Sequence, residues 1–209
     1  MLPPTKYGKI AVASTFSPRF EQVLAEAKRM RDRFEAELSL IYVGEETPEV
    51  AEKFRGALTK LSLPADSPVH YEKGDPSGAI LRAINENGIE LIVAGALEKQ
   101  VVLHRFLGNV ARRLLRETAS SVILFTNPQR EPVSLRKIVF VADYSEHSAA
   151  ALRRTLHLAE QEKCERLYVI RVITTFDEAR ATREDEPAVD EEEKIEQFVL
   201  SLGEIRVPT

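Results

Sequence analysis

Short aliphatic runs alternate along this chain with longer stretches in which apolar residues return every three or four positions. Residues 9–14, Lys-Ile-Ala-Val-Ala-Ser, form a short β-branched run closed by Thr15-Phe16-Ser17-Pro18, so the spacing predicts a buried strand leading into a helix. Val23, Leu24, Ala27, Met30 and Phe34 then fall on one face of a helix over 20–34, and residues 38–43 return as a second strand. Val50, Phe54, Ala57, Leu58 and Leu61 mark a second helix, entered through Thr47-Pro48 and ended near Leu63-Pro64. Residues 69–72 make a third, weaker strand. Asp75 is placed to cap a third helix with Pro76 preset for its first position, and Asn87-Gly88 stops it before a fourth strand over 89–95. A loop leads to a fourth helix over 104–118, and residues 121–125 are the fifth strand.

Five strands this apolar, joined by helices, need helices on both faces. Right-handed crossovers then give an α/β fold, an open, doubly wound, parallel five-stranded sheet, over residues 1–130. Asn127 to Pro132 reads as a linker, after which the pattern restarts. Lys137-Ile138 repeats Lys9-Ile10 and Ser145 repeats Ser17 at an offset of 128; with one inserted residue, Leu167, Val169, Ile170 and Val172 repeat Leu38, Leu40, Ile41 and Val43. The order and the matches read as an internal duplication, with 131–209 a partial second unit of strand, helix and strand, then a charged loop and helix. Two full copies need about 256 residues, and here Ile205-Arg206-Val207 is expected only to begin a third strand. The charged stretch 176–194, with Asp190-Glu191-Glu192-Glu193, reads as a loop and an acidic helix start, where negative charge suits the helix dipole.

Composition narrows the setting. Of 209 residues, 44% are hydrophobic and 30% charged, an ordinary globular balance that excludes a wholly disordered chain. Cys164 is the only cysteine, so no internal disulfide forms, and His70, His104, His147 and His157 lack metal-ligand spacing. With no apolar leader near Met1 and no stretch approaching roughly 18 apolar residues, the expectation is a cytoplasmic protein with no membrane partner. Residues 131–209 carry net −6 against +2 for the remainder. Neither part is a nucleic-acid footprint, and Arg112, Arg113 and Arg116 read as a solvated helix face.

Gly74-Asp75-Pro76 before the third helix, Gly95-Ala-Leu-Glu98 after the fourth strand, and Gly108-Asn109-Val110 before the fourth helix resemble the universal stress protein family over residues 8–127, with a restart at 136. That resemblance implies the same five-stranded sheet and, in some members, ATP held by a glycine pattern, G-x2-G-x9-G-[S/T], between the fourth strand and the last helix. Glycines let backbone amides approach phosphates, and a helix N-terminus favours their charge. Gly95 and Gly108 keep the outer glycines; Glu98 replaces the middle one, and Asn109 stands for the hydroxyl residue. An Asp that meets adenine and ribose at the end of the first strand is replaced by Thr15, while the second unit keeps it as Asp143. The candidate nucleotide site is therefore Thr15, Val43, Gly95, Gly108, Asn109 and Asp143, a degenerate set, with Val43 against the base. The cofactor to expect is ATP or another adenine nucleotide, bound weakly or not at all, and no metal cluster.

Each of these residues also has a structural reading: Gly95 ending a strand, Gly108 permitting close packing at a helix start, Asn109 capping that helix, Asp75 and Asp143 serving their turns. Ser145-Glu146-His147 is no catalytic triad, since neighbours on a turn do not aim at one another, and Cys164 reads as a small core or boundary residue. His104-Arg105 reads as an anion attractor or a solvated pair. With no P-loop and no nucleophile and base pairing, the leading expectation is a non-catalytic universal-stress-type protein acting through protein association in a stress response. The alternative is an adenine-nucleotide sensor on the Gly95, Gly108 and Asn109 loop. A homodimer is expected through the last strand, residues 122–125, an apolar run at a sheet edge that invites pairing.

Overall fold

The computed structural model describes residues 5–95, 108–173, 191–203 and 205–208. The chain divides into two compact units, one of Tyr7–Val133 and one of Ser134–Thr209 with the N-terminal residues through Lys6. Each is described by itself.

In the larger unit the order is β1 (Lys9–Ser14), α1 (Phe20–Phe34), β2 (Glu37–Val43), α2 (Pro48–Lys60), β3 (Val69–Glu72), α3 (Pro76–Asn87), β4 (Leu91–Gly95), α4 (Asn109–Glu117) and β5 (Ser121–Phe125). The strands lie in the order β3-β2-β1-β4-β5, and every pairing is parallel. This is the doubly wound α/β sheet expected from the alternation, with β5 at one edge. The central strands are largely apolar between their ends, as strands covered on both faces must be: Ile10, Val12, Leu40, Leu91, Ile92 and Val93 are all fully buried. One face packs Ala11, Ile41 and Ile92 against Ile80, Ala83 and Ile84 of α3 and Leu114 of α4. On α1, Val23, Leu24, Ala27, Met30 and Phe34 are buried as the helical spacing requires.

The caps explain where elements begin and end. Thr47 accepts a hydrogen bond from the Val50 N–H ahead of Pro48, and Asp75 accepts one from the Gly78 N–H ahead of Pro76. At the end of α3, Gly88 takes the left-handed conformation at φ 62° and the Ile89 N–H returns to the Ile84 carbonyl. Ile89 is therefore spent on closing the helix, and β4 begins at Leu91 where the apolar run suggested 89.

The smaller unit contains β6 (Lys137–Val141), α5 (Glu146–Glu162), β7 (Arg166–Ile170) and α6 (Glu191–Leu200). β6 and β7 pair in parallel as a two-stranded sheet. Leu152, Ala159, Cys164, Leu167 and Val207 form its core, with Ile138, Phe140, Val169 and Phe198 packed around them. Ser145 caps α5 by accepting from the Ser148 N–H. Among the described residues no strand forms at 205–207, where a third was expected: Val207 is buried in this core, and the neighbouring Pro208 carbonyl accepts a hydrogen bond from the Leu167 N–H.

Candidate functional site

Thr15, Val43 and Gly95 stand at the carboxyl ends of the adjacent strands β1, β2 and β4. The β1–β2 register pairs Ser14 with Tyr42, so Thr15 and Val43 continue the same row. In an open α/β sheet this is the end at which ligands bind. Helix α4 runs back against the strands before β5, which brings its first residues, Gly108 and Asn109, to the same end. The loop carrying Glu98, and His104-Arg105 beyond it, lie outside the described residues.

The individual environments are informative. Thr15 is exposed. Val43 is half-buried and packs against the cluster under α3. Gly95 is shaped by its neighbour, since a Cβ there would lie 2.8 Å from Val23 Cγ2 on α1. Gly108, at φ −59° and ψ 158°, is the residue that caps α4, and among the described residues no side-chain bond caps the helix. Asn109 already lies inside the first turn, which corrects the expectation that it caps the helix. Asp75, by contrast, is a working cap: it accepts from Gly78 N–H, from Ser77 Oγ at 2.7 Å and from Arg113 Nη1 at 2.8 Å, which ties α3 to α4. Those bonds, the Gly78 N–H first, hold its carboxyl below the usual range.

Asp143 belongs to the smaller unit, just past β6. Its Oδ1 accepts from Ser145 Oγ at 2.7 Å and from the Ser145 N–H at 3.0 Å. The Ser145 hydroxyl is the main reason its carboxyl titrates below the ordinary range. Nearby, Tyr144 has the left-handed φ of 62°, and the Arg171 guanidinium lies 4.5 Å from its ring centre. Asp143 thus serves its own strand-to-helix turn.

Two features of the larger unit escape a linear reading. Phe16, next to Thr15, packs in an aromatic cluster, with its ring centre 4.7 Å from Phe54, 5.4 Å from Tyr42 and 5.7 Å from Phe20, and with Lys53 Nζ 5.3 Å above it. The only local signal was the four-residue spacing of Phe16 and Phe20. At the opposite, amino-terminal end of the sheet, a cleft of about 350 Å³ is lined by Lys9, Glu37, Ser39, His70, Asn87 and Ile89. Ser39 Oγ is buried there without a hydrogen-bond partner among the described residues. Burial pushes the His70 imidazole below its usual pKa. Among the described residues no group of His, Cys, Asp or Glu could hold a metal ion, and no helix is long and apolar enough to cross a membrane.

The universal stress protein family model matches residues 62–126, from the end of α2 through β5. The matched segment includes Gly95, Gly108 and Asn109, while Thr15, Val43 and Asp143 lie outside it. Among solved structures, a universal stress protein, UspA, from Lactobacillus plantarum is 20% identical, covering 57% of this chain and 98% of its own, at a TM-score of 0.46. A universal stress protein in complex with cAMP is 17% identical, covering 57% of this chain and 97% of its own, at 0.48. A functionally unknown protein from Pseudomonas aeruginosa PAO1 is 16% identical, covering 97% of this chain and 72% of its own, at 0.70. That last likeness shows the fold over nearly the whole chain. No curated protein matches it.

Proposed function

We propose that this chain is a universal-stress-type protein that acts by protein association in a stress response, without catalysis, and with adenine-nucleotide binding weak or lost. The observation that carries this reading is Thr15. Where the family resemblance calls for a carboxylate to meet adenine and ribose, β1 ends in an exposed, neutral hydroxyl. The carboxylate that answers to it at the offset of 128, Asp143, is in the other unit and turned into its own loop. Packing against Val23 already accounts for the glycine at position 95. The reading includes a cytoplasmic location, residues 131–209 as a partial second copy, and a homodimer through β5, whose half-buried residues Val122 to Phe125 lie at the sheet edge.

Calorimetric titration with ATP and AMP in millimolar magnesium tests the nucleotide part. The expected result is no measurable heat; a Kd tighter than about 10 μM, near −7 kcal/mol, overturns it.

One observation favours the sensor reading. Among the described residues Gly108 caps α4 with no side-chain bond, the arrangement in which a helix start receives an anion on its first amides. In that case ATP raises the melting temperature, and Gly108→Val abolishes the rise.

A further inference from the structure

In the smaller unit, β6 and β7 pair as Lys137 with Arg166, Val139 with Tyr168, and Val141 with Ile170. The alternate residues Ile138, Phe140, Leu167 and Val169 face the core around Leu152. The others point the opposite way, as the pleat requires, and stay open: Val139 is 59% exposed, Val141 56%, Tyr168 40% and Ile170 42%. A parallel sheet is normally covered on both faces. The larger unit displays the covered form, where Ala11 and Ile41, the counterparts of Val139 and Ile170, lie fully buried beneath α3. Four large apolar side chains in adjoining rows thus form a sheet face that no layer covers among the described residues.

The face also has a direction. Its amino-terminal end carries Lys137 and Arg166, both exposed, with the Arg166 guanidinium 6.0 Å from the Tyr168 ring centre. At the carboxyl end, two residues past Val141, stands the exposed Asp143. The β6–β7 ladder continues through the Ala142 N–H to the Ile170 carbonyl, so the backbone is still extended as it reaches Asp143. The cations and the carboxylate lie about 20 Å apart along the strand.

We propose that this face packs antiparallel on the same face of a second copy, burying Val139, Val141, Tyr168 and Ile170 of both and setting Lys137 and Arg166 of each against Asp143 of the other. A surface basic at one end, acidic at the other and apolar between is complementary to itself under a two-fold rotation, the isologous arrangement of most dimers. Two aligned sheets stack about 10 Å apart, a gap that Val, Ile and Tyr side chains fill. An anionic polymer or membrane surface would instead meet Asp143 as a repulsive group. This contact is independent of the one proposed through β5.

Sedimentation of the full chain at high micromolar concentration reads the assembly, and a charge exchange identifies the surface. Val141→Glu is expected to halve the mass. Asp143→Lys makes both ends basic and the double change Lys137→Glu with Arg166→Glu makes both acidic, so each protein alone loses the contact while an equimolar mixture regains it as a heterodimer. A variant that simply misfolds cannot be rescued by mixing. An unchanged mass for Val141→Glu, or no recovery on mixing, overturns the proposal. So does a wild-type monomer, whether a cysteine placed at Val141 reacts freely with a thiol reagent or is shielded by another segment of its own chain. Phe125→Lys separates the two contacts: if only the β6–β7 face associates, Val141→Glu gives monomer and Phe125→Lys leaves a dimer, and if only β5 associates the results are reversed.

Discussion

Gly95 and Val23 are in such close contact that the larger unit accepts no side chain between β4 and α1: a Cβ on Gly95 would sit 2.8 Å from Val23 Cγ2. Val23 is itself buried and β-branched on a helix, with little room to turn. Gly95→Ala is therefore expected to destabilise the fold by about 1–3 kcal/mol, the usual cost of an overpacked core. Val23→Ala should recover part of that loss in the double variant, measured by urea unfolding of all four proteins. Purely additive losses would mean that Gly95 is there for something other than this contact, and would strengthen the phosphate reading.

Glu26 is a second packing device that no helical pattern marks. It lies on α1 at 4% exposure, with Arg29 Nε and Nη2 donating to Oε2 at 3.2 and 2.9 Å and the Gln129 N–H donating to Oε1 at 3.2 Å. Arg29 Nη1 also reaches the Val133 carbonyl at 2.9 Å, so the pair holds the segment after β5 onto α1. Removing Glu26 takes from the largely buried Arg29 its carboxylate counter-charge, and Glu26→Ala is expected to cost about 3 kcal/mol. Equilibrium denaturation measures it; a loss under half that size would show the pair to be well solvated.

His70 predicts a pH dependence of stability. Burial lowers its folded pKa, so the unfolded chain, with a pKa of about 6.5, binds the proton more readily. Stability is then full above about pH 6.5 and falls as the pH drops toward the folded value. The stability that the depressed carboxylates Asp75 and Asp143 contribute is lost only as the pH falls from the ordinary carboxylate range through their lowered folded values, and does not mask this window. Melting temperatures of wild type and His70→Gln between pH 5 and 7.5 should diverge, the variant showing the flatter profile. Parallel curves would remove His70 as the cause.

The edge strand β5 gives a prediction about solubility as well as mass. Val122 to Phe125 are each half-buried, and an unprotected apolar edge is blunted by lysine. Phe125→Lys is expected to lower the mass seen in sedimentation without aggregation, provided the β5 contact exists. An unchanged mass would exclude that contact.

Much of the architecture was legible before any coordinates. The caps at Thr47 and Asp75, the stop at Gly88 and the apolar stripe of α1 are local signals, each made by residues within a few positions of one another. The candidate site was legible in part. Thr15, Val43 and Gly95 do gather at one end of neighbouring strands, while Asp143 belongs to the other unit and Asn109 yields the cap to Gly108. The Phe16 cluster and the Ser39 cleft were missed because their members are far apart in sequence and meet only through the sheet order.

By itself, then, the sequence determined the alternation of strand and helix, the ends of most elements and the neutral residue at the end of β1, since periodicity and capping act over one or two turns. Only the tertiary structure decided the order β3-β2-β1-β4-β5, the burial of Glu26, the closeness of Gly95 to Val23 and the open face of Val139, Val141, Tyr168 and Ile170. An apolar residue in a strand is the same letter whether a helix covers it or not. What covers it is settled by elements remote in the chain, and for β6 and β7 the described residues leave that layer open to a second copy.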